Sequence, residues 1–339
     1  MKKLIALVLV LVLVFTTVAC STNTPVTENE TLADNTAKTS DEAPTSDDNE
    51  NYKIIFSMTD MNSAAAAYWS NLHVTLGAEN GLDITLINPG GDPQLQSQQI
   101  MDAIAQGIYD VLVVYPNDPE GIIPCLKAAK EAGMIVEIFG CDINEEHWEY
   151  RDFMVACDDY LSGQVAGEAL MEAFPDGCNV VEVGLQSGID AQIKRHNGFV
   201  DAIEGSNINV LATQNVSKIS TNEAMNVMQD LVVKYGDEID AVYCQWDDGL
   251  AGCILAEESA GLDPVSIWQV AVDGNKTGFQ NVIDGKQNLS IMQNFDKMVA
   301  KSIELLKTKL SGGEVEGRNI LEWDLVTADT INSYEMPAW

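Results

Sequence analysis

Positive charge is scarce in this chain. Its 339 residues carry 18 lysines and arginines against 52 aspartates and glutamates, a formal net charge of −34. That balance argues against nucleic acid as a partner and against an electrostatic grip on anionic lipid. Histidine is rarer still, at His73, His147 and His196, and no CxxC pair or His-rich cluster suggests a metal site. No GxSxG, HExxH or phosphate-cradling glycine loop occurs, so no nucleophile–base–orienter set can be assembled. The chain reads as a non-enzyme without a cofactor. An apolar run long enough to cross a bilayer comfortably is also missing; the one candidate, residues 4–15, is too short.

What is present begins with that short run. Lys2 and Lys3 precede it, and Thr17-Val18-Ala19-Cys20 closes it, the pattern of an export signal with a small residue before a cysteine. A cysteine just after the cleavage point reads as a bacterial lipoprotein site, at which the Cys20 thiol takes a diacylglyceryl group. The expected location is the extracytoplasmic face of the cell membrane, held through lipid. Residues 21–51 lack aromatic side chains and set eight acids against the single base Lys38, the composition of a disordered acidic linker.

Beyond residue 51 the chain is long enough for two domains, and 46% hydrophobic with 21% charged residues describes a globular body with an ample core. Six further cysteines, Cys125, Cys141, Cys157, Cys178, Cys244 and Cys253, form an even set that would permit disulfides in an exported protein. Their wide spacing and the size of the body require none, and the pairing stays open.

Short apolar runs alternate with helical stretches. Strands are expected at 53–58, 82–88, 111–115 and 134–139, with helices between them, the third of these at 121–133. The rhythm restarts with strands at 153–156, 179–183, 208–214, 241–245, 267–272 and 289–292. This predicts an α/β fold of two similar doubly wound parallel-sheet lobes. Ligands of such sheets bind beyond the carboxyl ends of the strands, where this chain carries Asp142, Trp246, Asp273 and Gln293.

At these residues the chain resembles the sugar-binding proteins of bacterial ABC importers, the type I periplasmic-binding-protein fold, nearest its ribose-binding branch. The longest matching stretch runs from Asp92-Pro93 through Gln98-Gln99-Ile100-Met101-Asp102-Ala103-Ile104 and Gly107 to Asp110-Val111-Leu112-Val113-Val114-Tyr115-Pro116-Asn117-Asp118. Asp158-Asp159, Gly163, Arg195-His196-Asn197-Gly198-Phe199, Gln245-Trp246-Asp247-Asp248 and Val272-Asp273-Gly274 follow in order. The resemblance implies two lobes joined by three crossings, near 157–159, 294 and 319–324. The first lobe would hold 52–156 and about 294–322; the second, 157–293 and about 323–339. A sugar or sugar-like ligand would bind between them and pass to ABC permease subunits, with the protein a monomer.

The resemblance also implies a binding set. Asp142 and Asp273 fall on hydroxyl-binding acids, Arg195 on a ligand-binding arginine and Gln293 on a hydroxyl-binding amide. Two positions depart from the family. Trp246 stands where ribose binders carry asparagine and offers a stacking plate. Ile143 stands where an arginine is often found, which speaks against ribose itself. The family's two aromatics after the first strand fall on Ala65 and Ala66 without a gap, or on Tyr68 and Trp69 with a shifted loop; a stacking wall needs rings, so the second placement is taken. Tyr115 adds another ring at its strand end. A sensory receptor for chemotaxis or a two-component system would share all these motifs and is the alternative. A glycosidase built on Asp142 and Asp273 is disfavoured. A repressor of this fold would need a DNA-binding headpiece where the signal stands.

Overall fold

The computed structural model describes residues 51–339; the leader, Cys20 and the acidic linker lie outside the described residues. Strand β1 (Tyr52–Ser57) shows how the first sheet is made. Ile54 and Phe56 enter one apolar layer and Ile55 the layer on the opposite face, all three buried. A strand covered on both faces must be apolar throughout, as are the four residues of β3 (Val111–Val114). The edge strand β2 (Leu82–Ile87) instead alternates buried and exposed positions at its start. With β4 (Ile135–Phe139), β5 (Phe153–Cys157) and β11 (Arg318–Leu321) they form one parallel sheet, ordered β2-β1-β3-β4-β5-β11. Helices α1 (Ala64–Glu79) and α9 (Phe295–Leu310) pack on one face, α2 (Pro93–Gln106) and α3 (Ile123–Glu131) on the other. The helix expected over 121–133 is therefore shorter at both ends.

The second sheet repeats the plan. Its strands are β6 (Asn179–Gly184), β7 (Asn209–Asn215), β8 (Ala241–Cys244), β9 (Trp268–Asp273), β10 (Leu289–Met292) and β12 (Asp324–Val326), ordered β7-β6-β8-β9-β10-β12. Only β12 runs antiparallel to its neighbour. Helices α4 (Asp159–Ala173), α5 (Asp190–Ile203), α6 (Thr221–Tyr235), α7 (Asp247–Ala260) and α8 (Lys276–Ile283) belong to this lobe. Sequence reading left α8 without an element. Its eight residues hold because Asn275 accepts from the Gly278 N–H at 2.9 Å and because Phe279 and Val282 are buried.

Both sheets reverse strand order at equivalent places, beside β1 and β3 and beside β6 and β8, so each has its switch point there. The chain passes between sheets three times: from β5 to α4, from β10 to α9 and from β11 to β12. These passages are tied together. The Trp323 indole N–H donates to the Asp158 carbonyl at 2.9 Å, and the Asn294 amide donates to Asp324 at 2.8 Å.

All six cysteines of the described residues are free and buried. One carboxyl also lies deep in the first lobe. Glu137, wholly buried in β4, accepts a 2.9 Å bond from the Ser302 hydroxyl, and Ser302 Oγ lies 3.3 Å from His73 Nε2. Burial pushes the Glu137 carboxyl up to about 8 and the His73 imidazole down to about 4, so both are neutral at pH 7.

Candidate functional site

The second lobe builds its wall around Arg195. Helices α4 and α5 approach closely because Gly163 and Gly198 lack side chains. A Cβ on Gly163 would strike the Arg195 carbonyl oxygen, and one on Gly198 the Tyr160 carbonyl oxygen. This contact sets Arg195, 4% exposed, against Asp159: its Nε and Nη2 each lie 2.9 Å from Asp159 Oδ1. Nη1 donates to the Gln245 carbonyl at 2.5 Å and lies 3.9 Å from Asp273 Oδ1. Burial works against the guanidinium charge, but Asp159 and Asp273 outweigh it and its pKa is raised. The arginine is a fixed cation held on three sides.

Asp273 is the one non-glycine residue among those described with positive φ, at 130°. Such a backbone costs on the order of 1–3 kcal/mol and persists only where surroundings impose it. Here they do. The buried Asp247 carboxylate accepts from the Gly274 N–H at 2.8 Å and from the Ser290 hydroxyl at 2.8 Å, locking the turn just past Asp273. The Gln293 amide then donates to Asp273 Oδ1 at 2.8 Å. Burial, opposed by Arg195, lifts the Asp273 carboxyl to about 8. Arg195, Asp273 and Gln293, all singled out from sequence, thus form one contiguous polar surface.

Asp159 belongs to that surface; the sequence reading matched it to the family but gave it no role. Asp158 caps α4, accepting from the Tyr160 and Leu161 N–H groups, which leaves Asp159 to turn inward. Two consecutive acids opening a helix were the available signal. Gln245 is equally central. Its side-chain amide donates to the buried Glu182 at 2.8 Å, and Glu182 also lies 2.7 Å from His196 Nδ1. The carbonyl that holds Arg195 is thereby anchored from beneath.

The first lobe brings different chemistry. Trp69 is buried, and its ring stacks on Tyr115, centroids 5.8 Å apart and planes 19° apart. Charges of the second lobe act on Tyr115 and Cys141. Burial pushes the Tyr115 phenol well above its usual range, with Asp159 and Asp190 adding to the effect and Arg195 opposing it. The Cys141 thiol is raised likewise by burial and Asp190, against Lys194. Asp190 and Lys194 pair with each other at 2.6 Å on α5.

Three expected residues are engaged elsewhere. Asp142 accepts from Arg151 Nε at 2.8 Å and Nη2 at 3.0 Å, and from the Ile143 N–H at 2.9 Å. Arg151, itself buried, also donates to the Gly317 carbonyl, so the Asp142 carboxylate closes a structural knot within its own lobe. Tyr68 turns toward α9, where its hydroxyl donates to Asp296 at 2.6 Å and its ring stacks on Trp339. Trp246, 5% exposed, lies over its own helix: a Cβ on Gly249 would enter its ring, and it packs in the core beside Leu250 and Val216. Of the aromatics proposed for the ligand, Trp69 and Tyr115 are the pair the structure stacks together.

Comparison with known proteins agrees with this architecture. Residues 54–314 match the model of the periplasmic binding protein domain. The ribose import binding protein RbsB of Escherichia coli K12 is 27% identical over 246 residues, covering 73% of this chain and 80% of that protein. The galactofuranose-binding protein YtfQ of the same organism is 27% identical over 241 residues, covering 70% of this chain and 75% of its own. The crystal structure of a galactofuranose binding protein superposes with a TM-score of 0.78 at 25% identity, covering 83% of this chain and 96% of that one. Two sheets of equal order joined by three crossings are thus found in a chain that belongs to the periplasmic-binding-protein family.

Proposed function

We propose that this protein captures a sugar or sugar-like molecule between its two lobes and delivers it to an ABC importer, catalysing no reaction. One observation carries the reading: a rigid guanidinium, a strained aspartate and an amide converge in the second lobe, while Tyr115, backed by the core residue Trp69, holds a strand end of the first. Charged and amide groups bind paired hydroxyls, and a flat ring takes the C–H face of a sugar. Closing the lobes on the guest completes both sets of contacts at once, so ligand shifts the population toward the closed form. The relatives named ribose and galactofuranose binding proteins support a sugar as the guest.

The protein acts as a monomer from the outer face of the membrane, held by lipid on Cys20, with residues 21–51 as the spacer. A melting-temperature screen against pentoses, hexoses, polyols, inositol and nucleosides tests the ligand reading. A true guest at 100 times its dissociation constant adds ~2.7 kcal/mol. Absence of any shift across the panel refutes the proposal. For the anchor, Cys20→Ser should move the protein from the membrane fraction to the medium or periplasm; unchanged partition refutes it.

A further inference from the structure

Three passages of chain join the lobes, and a fourth tie between them is not covalent. After β12 the chain turns at Thr327, whose N–H donates to Thr330 Oγ1 at 2.9 Å while that hydroxyl donates to the Leu325 carbonyl at 2.8 Å. It then runs back along the second lobe, where the Tyr334 ring meets Phe279 of α8 edge-on, centroids 6.2 Å apart. Trp339 completes the path and touches both lobes. Its carbonyl accepts the Lys276 N–H at 2.7 Å, at the first residue of α8. A helix start leaves that donor without a partner of its own, and Trp339 satisfies it. The Trp339 ring lies on the first lobe instead, stacked on Tyr68 of α1 (5.8 Å, 21°) and tilted against Phe295 of α9 (4.9 Å, 52°). Tyr68 is held in place for this by its 2.6 Å bond to Asp296.

We propose that residues 327–339 are a latch that holds the two lobes together in the absence of a guest. This rests on the lobe closure put forward above and not on the chemistry of the guest. Ring contacts and one hydrogen bond can part, whereas the three passages persist whatever the lobes do. In the latched arrangement Cys141, just past β4, is 5% exposed and feels Asp190 and Lys194 of the second lobe, so the lobes stand close together. Swinging them apart carries α8 away from α1 and α9, and Trp339 must then release one side. Two ring contacts and a hydrogen bond on a half-buried residue bias the balance between closed and open forms by about fivefold to thirtyfold.

Spin labels on Gln98→Cys in α2 and Gln229→Cys in α6, exposed positions in different lobes, report the separation by double electron–electron resonance without any ligand. The native thiols are buried. In the doubly labelled parent the short separation should dominate. Trp339→Ala, which removes the ring, and Lys276→Pro, which removes the donor, should each raise the long-to-short ratio about fivefold or more. Proline suits that site: it opens α8 where the helix needs no N–H, and Asn275 before it is already extended, at φ −83° and ψ 177°. Both changes cut one link in series, so the double variant should open no further than the wider of the two singles. Trp339→Phe keeps a ring and should keep the short separation, a check that does not depend on how the alanine variant folds. A parent already spread over long separations overturns the latch. So do unchanged ratios in both single variants, or shifts that multiply in the double variant. None of these outcomes bears on the sugar proposal, which the melting screen decides.

Discussion

Ligand binding should release a proton from Asp273. The buried carboxyl stands at about 8 in the ligand-free protein, chiefly because burial disfavours its charge. At pH 6 it is about 99% protonated, and at pH 9 about 90% ionised, by the ordinary titration relation. An aspartate that accepts ligand hydroxyls does so as the carboxylate, and those donors lower its pKa in the complex. Binding below pH 8 must therefore expel a proton. The sign follows by linkage: affinity rises about tenfold per pH unit from pH 6 toward 8, then levels near 9, on the order of a hundredfold in all. The assay is calorimetric titration at pH 6, 7, 8 and 9 with the sugar giving the largest melting shift, in phosphate and in Tris. The difference in apparent heat between these buffers counts the protons, close to one at pH 6 and about half at pH 8. Asp273→Asn should bind more weakly at pH 9 and lose the pH dependence. A dissociation constant flat from pH 6 to 9, with equal heats in both buffers, refutes this account of the wall.

Other outcomes test the surrounding framework. Asp142→Ala strands the buried Arg151 charge and should cost about 3–5 kcal/mol in urea unfolding, with sugar affinity essentially unchanged; lost affinity at full stability would return Asp142 to the ligand. Glu137, lifted from 4.5 to about 8 by burial, holds a proton on folding, so its contribution to stability falls as pH rises from about 4.5 to 8. Glu137→Gln should remove that slope and gain up to roughly 4–5 kcal/mol over wild type at pH 9 relative to pH 4, read by denaturant unfolding; parallel curves would count against it. Gly198→Ala forces α5 off α4 and should destabilise by about 1–3 kcal/mol while weakening sugar binding through Arg195; unaltered affinity would show that Arg195 does not need that contact.

The fold was largely legible because apolar strands buried on both faces leave an unmistakable trace, and α8 was missed because its eight residues owe their helix to Phe279 and Val282 finding a core. At the site, legibility depended on how far a side chain's partner lay along the chain. Asp142 looked available because Arg151, nine residues on, gives no sequence sign of turning back to it. Tyr68 and Trp69 are adjacent, yet about 100° apart around a helix, so only one could join Tyr115 while the other met α9. A ring at the end of β8 could not be told in advance from one folded over Gly249.

The six buried thiols have a practical use. Burial raises Cys125 and Cys141 and takes Cys178 to about 11 and Cys157 to about 12, while a hydrogen bond with Cys244, helped by burial, raises Cys253. The thiolate is the nucleophile that attacks an electrophilic label, so at neutral pH these five buried, raised thiols will be slow targets. Cysteines introduced on the surface of each lobe should therefore accept a fluorophore pair selectively, with the native thiols left in place. The molecule is ready-made for an optical reporter of lobe closure, and with it for finding its guest by light.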